Sequence, residues 1–326
     1  MPTIVSFALM LLVLGLPGAC ASAWRDPSAH IVRFVEVEPG TRLEVLDWGG
    51  SGEAVLLLAG HGDTGHIFDD FAPRLTNGFR VFALTRRGFG ASTQPEQGYE
   101  LATLVKDIAQ VVEALNLQRV HLVGHSIAGD EMTRFARSYP DRLGKLVYLD
   151  AAYDRVEAQQ LEKSFPKLPP SSKPAPAELA SPTAVRALVA RTAILMPESE
   201  IRATRVFGPD GRFLRPVTPD WILSAVAKMV EHPNYDSIRA RMLAIYAVPK
   251  TPAQLVPRYT TADRETRLAL DKIFEIWQAS AKAQRDRFRE SVPRARVVEL
   301  NGASHYLFIS DRDRVLQEVG SFLRKR

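Results

Sequence analysis

The sequence VHLVGHSIAG, residues 120–129, decides the fold that this chain is expected to adopt. Its first four residues form a short apolar run of the kind that makes a strand buried on both faces of a sheet. A helical pattern begins at residue 127 and continues to residue 139. Gly124 and Ala128, two before and two after Ser126, leave the room that a sharp strand-to-helix turn needs. The stretch therefore predicts a strained turn that lifts the Ser126 hydroxyl above the sheet, beside a helix N-terminus.

Apolar runs and helical spacings alternate along the rest of the chain. Strands are predicted at residues 33–38, 42–48, 54–59, 81–84, 120–123, 146–149, 242–248 and 296–300, the first two as an antiparallel pair. Helices are predicted at residues 101–115, 127–139, 264–289 and 312–323. This alternation predicts βαβ units and a mostly parallel sheet. A Pro-rich stretch, residues 155–235, interrupts it, with short helices near 184–195 and 221–230.

Two further motifs follow predicted strands and can complete a site around Ser126. A serine nucleophile needs a base within hydrogen-bond reach, and histidine is the usual one. His305 is the candidate, because it closes the motif GASH after the last predicted strand. The motif AGHG, residues 59–62, follows the third predicted strand, and its backbone N–H groups can stabilise a negatively charged oxygen. The sequence thus predicts nucleophilic catalysis by a serine and a histidine.

Five segments in chain order resemble the α/β-hydrolase superfamily, in particular its esterase, lipase and lactonase-like members with a cap. They are LLLAGH (56–61), RGFGAS (87–92), GHSIAG (124–129), LVYLD (146–150) and GASH (302–305). The resemblance implies an α/β fold with a mostly parallel eight-stranded sheet flanked by helices. A mainly helical cap, residues 155–235, is expected after strand six, between core segments 24–154 and 236–326. Such motifs specify a fold more closely than a substrate.

The resemblance also implies an oxyanion hole with two backbone donors. One is the N–H of Ile127, the residue after the nucleophile. The other comes from the loop after the third strand, which offers two frames, residues 59–61 and 61–63. In the superfamily an aromatic residue commonly lies eight positions after the loop glycine, and Phe68 lies eight after Gly60. We therefore expect His61 to donate its backbone N–H.

The acid that orients the histidine departs from the common pattern of the superfamily. Most relatives place it after the seventh strand, where this chain has no Asp or Glu before Asp263. Some relatives place it after the sixth strand, and Asp150 stands at that position. We expect Asp150 to hold the tautomer of His305 and to stabilise its cation. Asp154 and Asp263 are the alternatives.

A cap would cover the serine and exclude water from it. Tyr153 and Tyr306 flank the expected acid and base, and Trp221 lies in the expected cap, so these three are the candidate substrate-binding residues. Trp221 can equally belong to the cap's own small core. The expected partner is a small-molecule substrate: a small or medium apolar ester, lactone or related acyl compound.

Several other functions are disfavoured by the sequence. Relatives that attack with an aspartate are excluded by Ser126. No metal site and no cofactor are expected, because no carboxylate-rich histidine motif surrounds His61 and His66 and no phosphate-binding glycine loop is present. The net charge is +5, but the basic residues are dispersed, so nucleic acid is not an expected partner. The oligomeric state is not readable from the sequence.

The N-terminus predicts export. Residues 4–16 form a mostly apolar run without charge, too short for a membrane span, and small residues follow near residues 19–23. Residues 1–23 therefore resemble a signal peptide, and the product is expected to be periplasmic or secreted, without a stable membrane span in the mature chain. A lipid anchor on Cys20, the sole cysteine, is the alternative. After removal of residues 1–23, the mature chain is expected to have no cysteine, and therefore neither a disulfide nor a cysteine nucleophile.

Other activities of this fold remain open at the level of sequence. One is a non-catalytic binding protein that keeps the fold and its pocket. Others are a C–C bond hydrolase, which also uses a serine, and a cofactor-free perhydrolase with the same three residues. Turnover with covalent labelling of Ser126 separates the enzymes from the binding protein.

Overall fold

The computed structural model describes residues 24–170 and 173–325, so the predicted signal peptide lies outside the described residues. Eight strands form one sheet in the order β1-β2-β4-β3-β5-β6-β9-β10, and β7 and β8 form a separate hairpin. The strands are Ile31–Glu38 (β1), Thr41–Gly49 (β2), Glu53–Leu58 (β3), Phe79–Leu84 (β4), Val120–His125 (β5), Leu143–Leu149 (β6), Arg205–Phe207 (β7), Phe213–Pro216 (β8), Met242–Val248 (β9) and Arg296–Asn301 (β10).

Helices flank the large sheet and also form most of the segment between β6 and β9. They are Leu101–Ala114 (α1), Ala128–Ser138 (α2), Arg155–Glu162 (α3), Pro182–Thr192 (α4), Glu198–Thr204 (α5), Asp220–Ala227 (α6), Pro252–Leu255 (α7), Arg264–Ser291 (α8), Leu307–Ser310 (α9) and Arg312–Arg324 (α10). Within the described ranges, no helix is both long enough and apolar enough to cross a bilayer.

The sheet is mixed only at one edge. The β1–β2 and β2–β4 pairs are antiparallel, and the pairs from β4 through β3, β5, β6 and β9 to β10 are parallel. The predicted mostly parallel eight-stranded α/β sheet is therefore confirmed. Because the strands run parallel, their carboxyl ends meet at one edge, where ligands bind in open α/β sheets.

The central strands are apolar on both faces because helices cover both sides of the sheet. Leu56 belongs to a core that also holds residues of α1, α2 and α8, and its neighbour Leu57 belongs to a second core that holds residues of α10. Phe135 of α2 and Val319 of α10 are fully buried in these two cores. Alternate side chains of one strand thus belong to different cores, which fixes the strand register.

Residues 155–241, which run from the start of α3 to the start of β9, are called the insert below. It holds α3 to α6, as the predicted mainly helical cap requires, but also the β7–β8 hairpin. The sequence predicted no strand in this stretch, and the structure has one of three residues and one of four there. Strands this short carry too little alternation to be recognised from sequence.

Helix α2 lies unusually close to the loop after β6. At Gly129, an added Cβ would lie 2.0 Å from the carbonyl oxygen of Ala151. This contact is to backbone, which cannot move aside without disturbing the end of β6. Only glycine therefore permits the approach of the two segments.

We expect Gly129→Ala to lower the free energy of unfolding by about 3 kcal/mol, as overpacking against fixed backbone does. Gly320→Ala is the matched control, because Gly320 also lies in a helix but faces the flexible end of Arg324 at 3.1 Å. That variant should be neutral or gain up to about 1 kcal/mol from helix propensity. Urea denaturation of both variants measures the difference, and equal stabilities would contradict the proposed constraint.

Candidate active site

Ser126 occupies the turn between β5 and α2 in a strained backbone conformation. Its φ is +54°, in the left-handed region that a non-glycine residue rarely adopts. The Ser126 N–H donates to the carbonyl of Leu149 at 3.2 Å, which ties the turn to the end of β6. An added Cβ at Gly124 would lie 2.3 Å from Sδ of Met132, which explains the small residue there. The strain is thus held by neighbouring contacts.

Asp150 follows β6 and is also in the left-handed region, with φ +48°. Its carboxylate is buried, and its Oδ2 lies 2.7 Å from Nδ1 of His305. The other oxygen, Oδ1, accepts from the N–H of Ala247 and from the hydroxyl of Tyr153, both at 3.1 Å. The carboxylate is therefore fixed in orientation, and the Nε2 of His305 is left for a reacting group.

His305 lies in the loop after β10, directly beside the Ser126 turn. The loop begins with Gly302, whose N–H donates to the carbonyl of Val248 at 2.8 Å. The His305 ring lies 4.5 Å from the ring of His125, and the Nε2 of His125 lies 3.1 Å from the His305 carbonyl oxygen. Burial, together with the charge of His305, holds the pKa of His125 well below its usual value. His125 is thus a neutral support between the serine turn and the His305 loop.

A cavity of about 330 Å³ opens over Ser126. It is lined by His61, Ser126, Ile127, Tyr153, Arg155, Ala158, Gln159, Leu161, Glu162, Phe165, Ala227, Val230, Trp277, Ser280, Ala281 and Gln284. Four of the residues expected at the site share this cavity, namely Ser126, Ile127, His61 and Tyr153. The walls come from α3 and the end of α6, as expected for a cap, and also from α8.

Two expected substrate-binding residues lie elsewhere. Tyr306 does not line the cavity; its hydroxyl lies 3.4 Å from Oδ1 of Asp63, and its ring packs on His125. Trp221 lines a different surface pocket and packs edge-on against Tyr99. Trp277 and Phe165 line the cavity instead. Trp277 lies in an amphipathic helical pattern and Phe165 in a Pro-rich stretch. Neither pattern predicts a place in the cavity wall.

The two alternative acids have other partners. Asp154 is the N-cap of α3, where it accepts from the N–H groups of Val156 and Glu157, and its Oδ2 lies 2.7 Å from His232. Asp263 is the N-cap of α8 and accepts from the N–H of Thr266. Of the three carboxylates, Asp150 is the one in contact with His305.

Known proteins share both the sequence pattern and the fold. A model of the alpha/beta hydrolase fold matches residues 53–193. A 2-(acetamidomethylene)succinate hydrolase of Mesorhizobium japonicum is 25% identical over 276 residues, 84% of this chain and 89% of the relative. The crystal structure of an E-2-(acetamidomethylene)succinate hydrolase superposes with a TM-score of 0.65 at 21% identity, covering 91% of this chain and all of that one. The chain therefore has the α/β-hydrolase fold, and residues 53–193 carry the sequence pattern of that family.

A second relative matches a shorter part of this chain. A non-heme chloroperoxidase of Streptomyces lividans is 36% identical over 120 residues, which cover 36% of this chain and 44% of the relative. Relatives with different activities therefore share the family sequence. The resemblance predicted from the sequence motifs is confirmed at the level of superfamily and fold.

Arg86 holds the loop that contains His61. Its guanidinium pairs with Glu131, both groups being buried, and also donates to the carbonyls of Ala59 at 3.0 Å and Gly60 at 3.3 Å. In a trans peptide the N–H points opposite to the carbonyl, so the N–H of His61 faces away from Arg86. The contacts of Arg86 are thus those of a structural support for this loop.

Arg155 supports the Ser126 turn, a role that the sequence did not indicate. It is the first residue of the insert, and its guanidinium donates to the carbonyl of Ser126 and to Oδ2 of Asp130, the latter at 2.9 Å. It also donates to the carbonyl of Ala151 at 3.1 Å. The strained turn is therefore held by the insert as well as by the sheet.

Four residues far apart in the sequence form a group of potential metal ligands. Asp26, His30, His66 and Asp69 each offer one ligand atom, and these atoms lie within 4.8 Å of one another. The sequence predicted no metal site, and that expectation stays a prediction; the structure adds that these four side chains lie close together. The sequence could not show it, because Asp26 and His30 approach the other two only when β1 joins the sheet.

Two buried carboxylates lie behind the His61 loop. Burial raises the pKa of Glu200, and the nearby charge of Asp63 raises it further, to about 8. Glu200 accepts from the backbone N–H and the hydroxyl of Thr64, which joins α5 of the insert to the loop. Burial likewise raises the pKa of Asp63 to about 6, against the opposing hydrogen bond from Tyr306. These acids bind protons more tightly in the folded protein than in the unfolded chain.

A carboxyl group whose pKa is raised by folding stabilises the protein below its unfolded pKa and loses that contribution as the pH rises through its folded pKa. For Glu200 the window runs from its ordinary value of 4.5 to about 8. Glu200→Gln keeps an acceptor and a donor for Thr64 but does not ionise. We expect its Tm to match the wild type near pH 5 and to exceed it by several degrees at pH 8, measured by thermal unfolding across this range.

Glu198→Gln is the control, because Glu198 lies on the same helix but is partly exposed and paired with Arg202. Its Tm should follow the wild-type pH profile. A Glu200→Gln profile parallel to that of the wild type would show that Glu200 does not titrate in this window.

Proposed function

We propose that this protein is a serine-dependent hydrolase that cleaves a small or medium apolar ester, lactone or related acyl substrate through an acyl-enzyme intermediate. The proposal depends mainly on one observation. A strained serine opens into the same cavity as His61 and Ile127, while a histidine bound to a buried aspartate lies beside the serine turn. This combination of nucleophile, base and orienting acid is what acyl transfer needs.

In the proposed reaction, the Ser126 hydroxyl oxygen attacks the substrate carbonyl carbon while His305 Nε2 takes the hydroxyl proton. Asp150 stabilises the resulting imidazolium. The tetrahedral intermediate collapses, the bond to the leaving group breaks, and His305 returns the proton to the leaving group. Water then attacks the acyl-enzyme with His305 again as base, which releases the carboxylic acid and restores Ser126.

The proposed oxyanion hole uses the N–H groups of His61 and Ile127. The orientation of the Gly60 carbonyl toward Arg86 turns the His61 N–H to the opposite side, and His61 lines the cavity with Ser126. Ile127 immediately precedes α2, where N–H groups lack helical partners and the helix dipole favours negative charge. Preorganised donors of this kind supply several kcal/mol of transition-state stabilisation, about 3 for one donor.

The cavity favours an uncharged acyl group of modest size. Its volume of about 330 Å³ is near the lower end of the range for small-molecule sites. Much of the wall is apolar, with Leu161, Phe165, Val230 and Trp277. Arg155 is the one arginine or lysine among the described lining residues, and its guanidinium is already bound to Asp130 and backbone carbonyls. A dicarboxylate, as in the name of the Mesorhizobium relative, would therefore lack a free cationic partner here.

Peroxide-dependent oxidation is a second candidate activity, favoured by the similarity to non-heme chloroperoxidases. The same serine and histidine would transfer an acyl group to hydrogen peroxide instead of water. Halide oxidation that requires both peroxide and an added carboxylate would identify this activity. This activity would depend on Ser126, as ester hydrolysis would.

The first test is hydrolysis of p-nitrophenyl esters of increasing acyl length by the wild type and by Ser126→Ala. We expect turnover by the wild type and a loss of about 10⁴-fold or more in kcat for the variant, because the variant lacks the nucleophile. A fluorophosphonate probe should label the wild type at Ser126 and leave the variant unlabelled. Absence of both turnover and labelling in the wild type would favour the non-catalytic binding protein.

The variant Asp150→Asn tests the assignment of Asp150 as the acid that orients His305. The asparagine amide would present N–H to His305 Nδ1 and stabilise the wrong tautomer, so we expect kcat to fall by about 10⁴-fold. Asp154→Asn and Asp263→Asn are matched controls, since asparagine also caps helices well. Both controls should retain kcat within a few-fold. Turnover by Asp150→Asn close to that of the wild type would refute the assignment.

A further inference from the structure

Asp26, His30, His66 and Asp69, called the His/Asp cluster below, lie apart from the cavity over Ser126. Asp26 and His30 precede β1, and His66 and Asp69 lie in and after the short helical turn that follows the His61 loop. None of the four lines that cavity. The side chains of His30 and Asp69 are each 3% exposed, that of His66 is 10% exposed, and that of Asp26 is 25% exposed. Three donors are thus buried, and one lies at an opening to solvent.

Three separations between donor atoms are close to those around a tetrahedral zinc ion, and the four ligand atoms all lie within 4.8 Å of one another. Nδ1 of His66 lies 3.2 Å from Oδ2 of Asp69 and 3.4 Å from Oδ2 of Asp26. Nε2 of His30 lies 3.6 Å from the same Asp26 oxygen. Ligands about 2.0–2.1 Å from a tetrahedral ion are about 3.3–3.4 Å apart. Two imidazole nitrogens and two carboxylate oxygens form a donor set that zinc accepts.

The second nitrogen of His66 has an outer carboxylate partner, since its Nε2 lies 3.5 Å from Oε1 of Glu44. Nδ1 of His30 lies 2.8 Å from Oδ1 of Asp69. This hydrogen bond turns Nε2 of His30 away from the Asp69 carboxylate, so the His30 ring must rotate to share one ion with Asp69. Histidine ligands usually donate their other N–H to a carboxylate, which fixes the tautomer and strengthens the ligand. The hydroxyl of Ser199 donates to Oδ2 of Asp69 at 2.5 Å and orients that carboxylate too.

The charges of the cluster also call for a cation. Three carboxylates, Asp26, Asp69 and Glu44, converge on two imidazoles, and buried negative charge needs compensation. Nδ1 of His66 faces two carboxylate oxygens at once, and a single N–H there cannot point to both. One ion placed between these atoms would contact both oxygens and the nitrogen.

We propose that the His/Asp cluster binds one Zn²⁺ ion at a structural site. With four protein ligands the site has no position for a substrate, so its role is to stabilise the fold rather than to react. The ion would join the segment before β1 to the turn behind the His61 loop. Through Ser199 it would also engage α5 of the insert. The site is independent of the proposed hydrolysis, so Ser126→Ala should bind zinc as the wild type does.

The test uses untagged protein, stripped with a chelator and titrated with ZnCl₂ against a chromogenic zinc chelator. We expect one zinc per chain, with a Kd below about 0.1 μM. X-ray absorption should show four nitrogen or oxygen neighbours that include two imidazoles. Zinc should also raise the Tm of the stripped wild type, because it binds the folded state.

His66→Ala and Asp26→Asn test the assignment of the ligands. Both substitutions should weaken zinc binding by about 100-fold or more. Loss of a ligand costs at least as much metal affinity as loss of a residue that hydrogen-bonds to a ligand. Asp26 is the more exposed residue, so its variant keeps the test valid if His66→Ala fails to fold. His232→Ala is the matched control, since His232 also contacts a carboxylate, that of Asp154, but lies at the surface.

Two results would overturn the proposal. One is the absence of stoichiometric zinc binding by the stripped wild type, which would mean that protonated histidines alone balance the carboxylates. The other is equal affinity in the wild type, His66→Ala and Asp26→Asn, which would place any bound zinc elsewhere on the surface.

Discussion

The candidate site depends on hydrogen bonds that continue the sheet by one residue beyond the ends of its strands. The N–H of Ser126 donates to the last residue of β6, that of Asp150 to Ile245 of β9, and that of Gly302 to the last residue of β9. Each loop is therefore positioned by the neighbouring strand before it leaves the sheet. Alternate burial of side chains in the two cores fixes the register of the strands. The positions at which the Ser126, Asp150 and His305 loops leave the sheet therefore follow from packing in the cores.

Backbone strain at this edge is supported from several directions. Ser126 and Asp150 both adopt left-handed conformations that cost free energy, of order 1–3 kcal/mol each. Neighbouring strands, Arg155 and the ring of His125 hold the two loops in place. Arg86 acts in the same way on the His61 loop, and its buried charge is balanced by Glu131. Charged residues that take no part in the proposed chemistry thus form much of its rigid surroundings.

The sequence predicted the fold well because the fold depends on local patterns. Apolar runs such as residues 242–248 and helical spacing such as residues 101–115 record burial directly, and the structure has strand β9 and helix α1 there. The Ser126 turn was readable for the same reason, since small residues must flank a sharp turn.

What the sequence could not predict involves residues distant along the chain. Trp277 lines the cavity because α8 faces the same space as α3 and the end of α6. Nothing in the amphipathic pattern of α8 predicts that this face forms a cavity wall. Trp221, in contrast, was expected near the substrate because of its chemistry and position, but packs against Tyr99. His30 and His66 come together through tertiary packing, and no short motif contains both.

Arg155 has a consequence for how such enzymes diversify. By its position it is the first residue of the insert, but its contacts are with the Ser126 turn and α2 of the core. The boundary along which inserts can be exchanged between relatives therefore runs after this arginine, not before it. Recombination at this boundary would change the cavity walls and keep the Ser126 turn supported, whereas a junction one residue earlier would separate the turn from Arg155.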